Sequence, residues 1–382
     1  MTAEERATAF SGAVALVLAS STGGVGRHVV SLARGLLDAG CRVLVCGPAA
    51  TDQHFGFAAA GADFAAVEIP AAPGPQDSGA VRALRRALTA RDVDVVHAHG
   101  LRAGFVAALA RPPAPLVVTW HNAVLAKGLR GQASVLVERI VARAAALTLG
   151  ASEDLVARAA AVGAPRARLG AVAAPVAGTP RRSRAAVRAE FRLAPGTPLI
   201  LSVGRLHPQK RHDVLIDAAA RWRTLSPAPV VVVAGSGPSY MQLAQRASAV
   251  RADVTLLGHR NDVPDLLAGA DLAVVTSDWE ARQLFAQEAL RAGVPLIATA
   301  VGGLPGLVGD AARLVPPGDV DALDAAVREL LADPALMSRY AAAGPARAAG
   351  WPAEADTVSD VLAAYAEVTA ARAAPGSETA RG

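Results

Sequence analysis

The stretch Ala13-Val-Ala-Leu-Val-Leu-Ala19, followed by Ser20-Ser-Thr-Gly-Gly-Val-Gly-Arg-His28, a helical segment Arg27–Ala39 and a second apolar run Val43-Leu-Val-Cys46, decides the fold. Apolar runs of strand length on either side of a helix are a βαβ unit, which requires a parallel sheet. Outward from it the rhythm continues, with strands expected near 63–68, 93–97, 115–119 and 147–150 and helices such as Ala80–Thr89 and Ser134–Ala146. Between about 172 and 196, Pro175, Pro180 and Pro195 flank a basic run, the composition of an interdomain linker. The rhythm then restarts with strands Leu199–Val203, Val230–Ala234, Val254–Leu257, Leu272–Val275 and Leu296–Ala298, and helices near 209–223 and 285–292. Helical patterns follow from about 320 to 370, and Ala371–Gly382 reads as a loose tail. The expectation is an α/β protein of two Rossmann-like, doubly wound domains. Ligands of open parallel sheets bind beyond the carboxyl ends of the strands, so the chemistry is sought in the loops there, around one central cleft.

Composition narrows the class. With 382 residues, two domains are expected, and 52% apolar against 19% charged residues is too hydrophobic for a disordered chain. No apolar run approaches the roughly 18–20 residues of a membrane-spanning helix. Met1–Phe10 carries Glu4 and Glu5 without a basic n-region, so a secretory signal is not expected and the cytoplasm is. Cys41 and Cys46 fit neither a metal spacing nor a disulfide framework. Net charge is +5, from 38 basic and 33 acidic residues, yet only Lys127 and Lys210 are lysine and aromatics are 4%. A nucleic-acid stacking surface is therefore not expected.

Three loops carry candidate chemistry. Ser20–His28 places Gly23, Gly24 and Gly26 at a helix start, where close backbone approach and free N–H groups attract a phosphate. It matches neither the dinucleotide nor the P-loop fingerprint, and a tight strand-to-helix turn is the plain alternative. Val203-Gly204-Arg205-Leu-His-Pro-Gln-Lys210-Arg211 follows a strand and sets Arg205 and Lys210 five apart, a cationic clamp for a diphosphate or simply a solvated basic loop. Thr276-Ser-Asp-Trp-Glu280-Ala-Arg-Gln-Leu284-Phe-Ala-Gln-Glu288 spans a strand-to-helix loop, with carboxylates suited to accept sugar and ribose hydroxyls or to complement a helix dipole. His97 and His99 suggest a metal pair, but no third ligand is visible in the sequence and sheet-end packing is the simpler reading. Asp92-Val-Asp94 has the look of a metal-binding Asp-x-Asp but leads straight into a strand.

Together, Gly23-Gly24-Val25, Asp94-Val-Val-His97-Ala-His99-Gly100, Thr119-Trp-His121, Val203-Gly204-Arg205 with Lys210, Asp271 with Glu280-x7-Glu288, and Gly302-Gly303-Leu-Pro305 resemble a retaining GT-B glycosyltransferase of family 4, over about residues 13 to 345. The resemblance implies transfer of a sugar from a UDP- or GDP-sugar to a hydroxyl acceptor, a cell-envelope glycolipid or a small-molecule glycoside, with no cofactor or metal required. It implies domains at 1–178 (acceptor side) and 179–350 (donor side), a helix 351–371 crossing back to the first, and a tail 372–382. It assigns Arg205 and Lys210 to the donor diphosphate, Glu288 to the ribose, Glu280 and His121 to the donor sugar, and Gly23 and Gly24 to the phosphate and acceptor, with Gly204 and Leu284 in the donor-binding loops.

The sequence departs from the family's pattern at Arg282 and Gln283, at Arg211 and at Gly306. A side chain at Gln283 limits backbone approach to the donor, and Arg211 either adds charge to the diphosphate site or faces solvent. Two rivals stand beside this reading: a GT-B phosphorylase or epimerase, and a noncatalytic nucleotide-sugar binding protein, the latter motivated by the altered loop at Arg282 and Gln283. Trp120–Arg130 and the cluster Arg82, Arg85, Arg86 and Arg91 offer a basic face to an anionic membrane, with an ordinary solvated surface as the default. The oligomeric state is not legible.

Overall fold

The computed structural model describes residues 10–21, 23–70, 73–124, 128–173 and 178–373. They form two compact units, one of residues up to Ala173 together with those from Pro352, the other ending at Trp351.

The first unit is built on seven strands, β1 (Ala13–Leu18), β2 (Arg42–Gly47), β3 (Asp63–Ala66), β4 (Val95–His99), β5 (Leu116–Trp120), β6 (Leu147–Gly150) and β7 (Ala167–Leu169). All pair in parallel, in the order β3-β2-β1-β4-β5-β6-β7. β1, β4 and β5 are buried along their whole length, which is why they read as unbroken apolar runs rather than alternating ones. The helix Glu354–Ala373 belongs to this unit and buries Val361, Leu362, Tyr365 and Val368 in a core with Val29, Leu32 and Leu36. Gly35 lets that helix approach, since a Cβ there would lie 2.2 Å from Val358.

The second unit has six parallel strands, β8 (Leu199–Val203), β9 (Val230–Ala234), β10 (Val254–Leu256), β11 (Leu272–Val275), β12 (Leu296–Thr299) and β13 (Arg313–Val315), in the order β10-β9-β8-β11-β12-β13. Apolar clusters cover both faces, one around Leu201, Val232, Phe285 and Leu296, the other around Ile200, Val231, Trp222 and Val274.

Several expectations need correction. β4 and β5 run to His99 and Trp120, so the histidines sit inside or directly after strands. The segment expected as linker contains a helix, Arg184–Glu190, docked on the second unit: Val187 is buried, and Arg184 and Arg188 both pair with Asp271. Asp271 Oδ2 also accepts from Leu199 N at 2.7 Å, so this carboxylate anchors the starts of β8 and β11 and takes no part at their carboxyl ends. Asp94 does the same for β1, accepting from Ala13 N at 2.7 Å, which removes the Asp92/Asp94 pair from any metal role at the loops. Trp120 is fully buried and forms no membrane-facing surface. Arg85 caps the helix Leu101–Ala110 through the carbonyls of Leu109 and Ala110, and Arg91 pairs with Asp63, so of the cluster Arg82, Arg85, Arg86 and Arg91 only exposed Arg82 and Arg86 are left without a partner among the described residues. Lys127 lies outside the described residues. Among the described residues, no helix is long and apolar enough to cross a membrane.

Candidate functional site

In the second unit strand order reverses between β8 and β11, and the crevice at such a reversal is where open α/β sheets bind ligands. The loops leaving those two strands are Gly204–Arg211 and Thr276–Gln283. They are laced together: Asp278 N donates to Gln209 O at 2.8 Å, Thr276 Oγ1 to Lys210 O at 2.9 Å, and Gln209 Nε2 to Trp279 O at 2.7 Å. The loop from β12 closes underneath, with Gly303 N donating to Glu280 O at 2.8 Å. That closure requires glycine at 302, where φ is +51° and a Cβ would lie 2.2 Å from Glu280 O.

Lys210 and Glu280, assigned by resemblance to diphosphate and sugar, are ion-paired with each other. Both side chains are largely shielded, at 16% and 11% exposure, and Ser277 Oγ adds a 2.6 Å hydrogen bond to Glu280 Oε1. An ammonium carries three donors, so the carboxylate fixes Lys210 while leaving donors for an anion. Arg205 differs: its side chain is exposed and makes no hydrogen bond or ion pair with any described residue. Arg211 neither joins the clamp nor floats in solvent. It pairs with Asp213 and with Asp278 at 3.0 Å, and these contacts raise its pKa, so its charge is already compensated.

Gln283, expected to obstruct, turns inward. It is buried, and its Oε1 accepts from Ala286 N as the N-cap of the helix Leu284–Arg291. On that helix Leu284 is exposed and Glu288 half-buried, one turn apart on one face. Arg282 points its Nε and Nη2 into the protein, where neither finds a partner among the described residues; burial pushes its pKa down to about 10, still cationic at neutral pH.

Gly204 is not sterically forced, since an added Cβ would meet Lys210 at an ordinary 3.7 Å. Two further forced glycines, which sequence reasoning missed, are Gly235 and Gly237 after β9. A Cβ on Gly235 would lie 1.8 Å from Gly204 O, and one on Gly237 2.4 Å from Leu206 O. The signal was present as Gly-Ser-Gly-Pro238 directly after an apolar strand.

In the first unit the reversal falls between β1 and β4. Gly23 caps the helix Gly24–Asp38, exposed and with open space about its Cα. The helix start is partly satisfied by Ser21, whose Oγ accepts from Gly26 N at 3.2 Å. Gly26 serves packing, because a Cβ there would lie 2.1 Å from the Phe55 ring. His121 follows β5 and is buried, with Nε2 3.3 Å from His99 Nδ1. His97 is a packing residue, its Nδ1 2.8 Å from Tyr365 Oη and its Nε2 2.7 Å from Thr119 Oγ1. The third partner the sequence did not reveal for His99 is present: His28, His99 and His121 bring a ligand atom each to within 4.8 Å of one another.

Comparison with known proteins gives matches to two family descriptions, Glycosyl transferase 4-like domain over residues 23–175 and Glycosyl transferases group 1 over 183–347. The chain is 32% identical over 317 residues to the D-inositol 3-phosphate glycosyltransferase of Geodermatophilus obscurus, covering 74% of this chain and 70% of that one. It is 38% identical over 196 residues to the Mycolicibacterium smegmatis protein of the same name, covering 48% of this chain and 43% of that one, less than half its length. Among solved structures, HepE of Anabaena in complex with UDP superposes with a TM-score of 0.78 at 20% identity, covering 93% of this chain and 99% of that one. Two parallel-sheet Rossmann-like units in this order are the GT-B fold, and the chain belongs to the group 1 glycosyl transferases.

Proposed function

We propose that this glycosyltransferase moves a sugar from a nucleotide diphosphate sugar to a hydroxyl with retention of anomeric configuration. The observation that carries the proposal is an exposed Arg205, without a side-chain partner among the described residues, in the same loop as a Lys210 held by Glu280, at the carboxyl ends of β8 and β11. As the bond between the anomeric carbon and the phosphate oxygen breaks, negative charge grows on the leaving diphosphate. Fixed cations placed before the reaction stabilise that charge without reorganising, which is where the largest catalytic gain lies. Arg205 and Lys210 take this role in place of a metal. The departing phosphate oxygen accepts the proton of the acceptor hydroxyl, whose oxygen bonds to the anomeric carbon from the same face, so no protein nucleophile is needed.

Glu280 serves the sugar hydroxyls as well as the position of Lys210, and Leu284 and Glu288 form the face that meets nucleoside and ribose. His121 contacts the sugar, and Gly23 and Gly24 admit the acceptor. UDP is the favoured nucleotide, because HepE is recorded with UDP and with UDP-glucose. The names of the relatives favour a small polyol phosphate as acceptor. The inward turn of Gln283, which spends its Oε1 on the cap of the helix Leu284–Arg291, supports the catalytic reading over a noncatalytic one. Among the described side chains of the basic face, Arg82 and Arg86 remain free for contact with an anionic membrane, and co-sedimentation with anionic vesicles at low salt tests it. The test of the reaction is incubation with UDP-glucose and inositol phosphate in EDTA, with the anomeric configuration of the product read by NMR. An α-linked product supports the proposal. A β-linked product, or sugar transfer that EDTA abolishes, would overturn retention or metal independence.

A further inference from the structure

Three histidines converge in the first unit without any carboxylate or thiolate among them. His28 lies in the first turns of the helix Gly24–Asp38, His99 ends β4, and His121 follows β5, so adjacent strands β1, β4 and β5 deliver all three at their carboxyl ends. Their ring centres form a nearly equilateral triangle, 5.4 Å from His28 to His99, 5.2 Å from His28 to His121 and 5.6 Å from His99 to His121. With metal–nitrogen bonds of about 2.0–2.1 Å at tetrahedral angles, three ligating imidazoles stand about 5 Å apart centre to centre and about 3.4 Å nitrogen to nitrogen. The 3.3 Å between His99 Nδ1 and His121 Nε2 is one such edge. We propose that His28, His99 and His121 form a binding site for a zinc ion, with the fourth position open to water.

The chemistry of the set supports the assignment. Three neutral imidazoles suit zinc and its transition-metal neighbours, whereas magnesium and calcium take oxygen ligands. His99 Nε2 is buried and has no hydrogen-bond partner, so a small turn of that ring toward an ion breaks no bond on that side. His28 is the partly exposed member and gives the route in. His97 is excluded as a ligand because Tyr365 and Thr119 occupy both its nitrogens; its ring lies 4.2 Å from that of His99 and backs it. One consequence, unlike the site itself, rests on the sugar-transfer reading: zinc engages His121 and therefore inhibits transfer.

The experiment uses the full chain without a polyhistidine tag, titrated with Co2+ as a spectroscopic stand-in for zinc. The expected result is the intense visible absorption of tetrahedral cobalt, saturating at one ion per chain, abolished by Zn2+ and untouched by excess Mg2+. His28→Gln should weaken binding by at least about a hundredfold, more than a typical loss outside the ligand set. His54→Gln, at an exposed histidine of the same unit, should change nothing. His28 is on a helix surface, so its variant decides the matter even where His99→Gln fails to fold. A folded wild-type chain without the absorption, or an absorption that survives His28→Gln, would overturn the site.

Discussion

Replacing Lys210 by methionine removes one partner of a shielded ion pair and strands the other. Glu280 keeps its hydrogen bond from Ser277 Oγ but loses the one cation paired with it among the described residues. Breaking a fully buried pair from one side costs about 3–5 kcal/mol. Here the side chains retain 16% and 11% exposure and Ser277 still solvates the carboxylate, so the expected cost is about 2–3 kcal/mol. Urea unfolding followed by circular dichroism at pH 7 measures it, through Lys210→Met, Glu280→Leu and the double variant. The double variant should recover much of the loss, giving a coupling of about 2 kcal/mol, well outside the roughly 0.3–0.5 kcal/mol scatter of independent sites. If Lys210→Met costs less than about 0.5 kcal/mol, or the two changes simply add, the pair does not organise the loops and the reasoning fails.

Arg205→Ala should leave the urea midpoint unchanged, since the side chain has no described partner, while weakening nucleoside diphosphate binding tenfold or more; calorimetry separates the two effects. Gly302→Ala should destabilise the second unit by about 2 kcal/mol or more, from a positive φ and a Cβ driven onto Glu280 O, read from the same unfolding experiment. His212 is buried and its pKa is pushed down to about 4, first by burial and then by Lys210, against about 6.5 when unfolded. Its contribution is therefore intact above pH 6.5 and lost as pH falls toward 4, about 2 kcal/mol of it by pH 5. His212→Leu should flatten the fall in stability between pH 7 and 5 by that amount, and an equal slope in both proteins would contradict the assignment.

The parallel sheets were legible because strands buried on both faces are apolar from end to end, as in Val230–Ala234. The short edge strands β7 and β13 were not: three residues each, with an arginine in each, carry no such run. The helix Arg184–Glu190 was hidden by its prolines and arginines, which read as linker although the arginines are spent on Asp271. At the site, spacing along the chain found Arg205, Lys210 and Glu280 but could not show that two of them meet, because the contact joins loops seventy residues apart. The same limit separated His28 from His99 and His121. Gly235 and Gly237 were visible in the sequence, and their need became plain only from the neighbouring backbone they must clear. The inward turn of Gln283 depends on the one N–H it caps, which no linear pattern reveals.

The central claim is that Arg205 and Lys210 bind the diphosphate of a nucleotide donor without a metal. Its most direct measurement is a denaturation series with UDP, GDP and ADP in EDTA, on the wild-type chain and on Arg205→Ala. One nucleotide, expected to be UDP, should stabilise the wild type by about 2.7 kcal/mol at a hundredfold excess over its dissociation constant, and should lose most of that effect in the variant. Stabilisation by none of the three, or an equal shift with Arg205 removed, would contradict the claim.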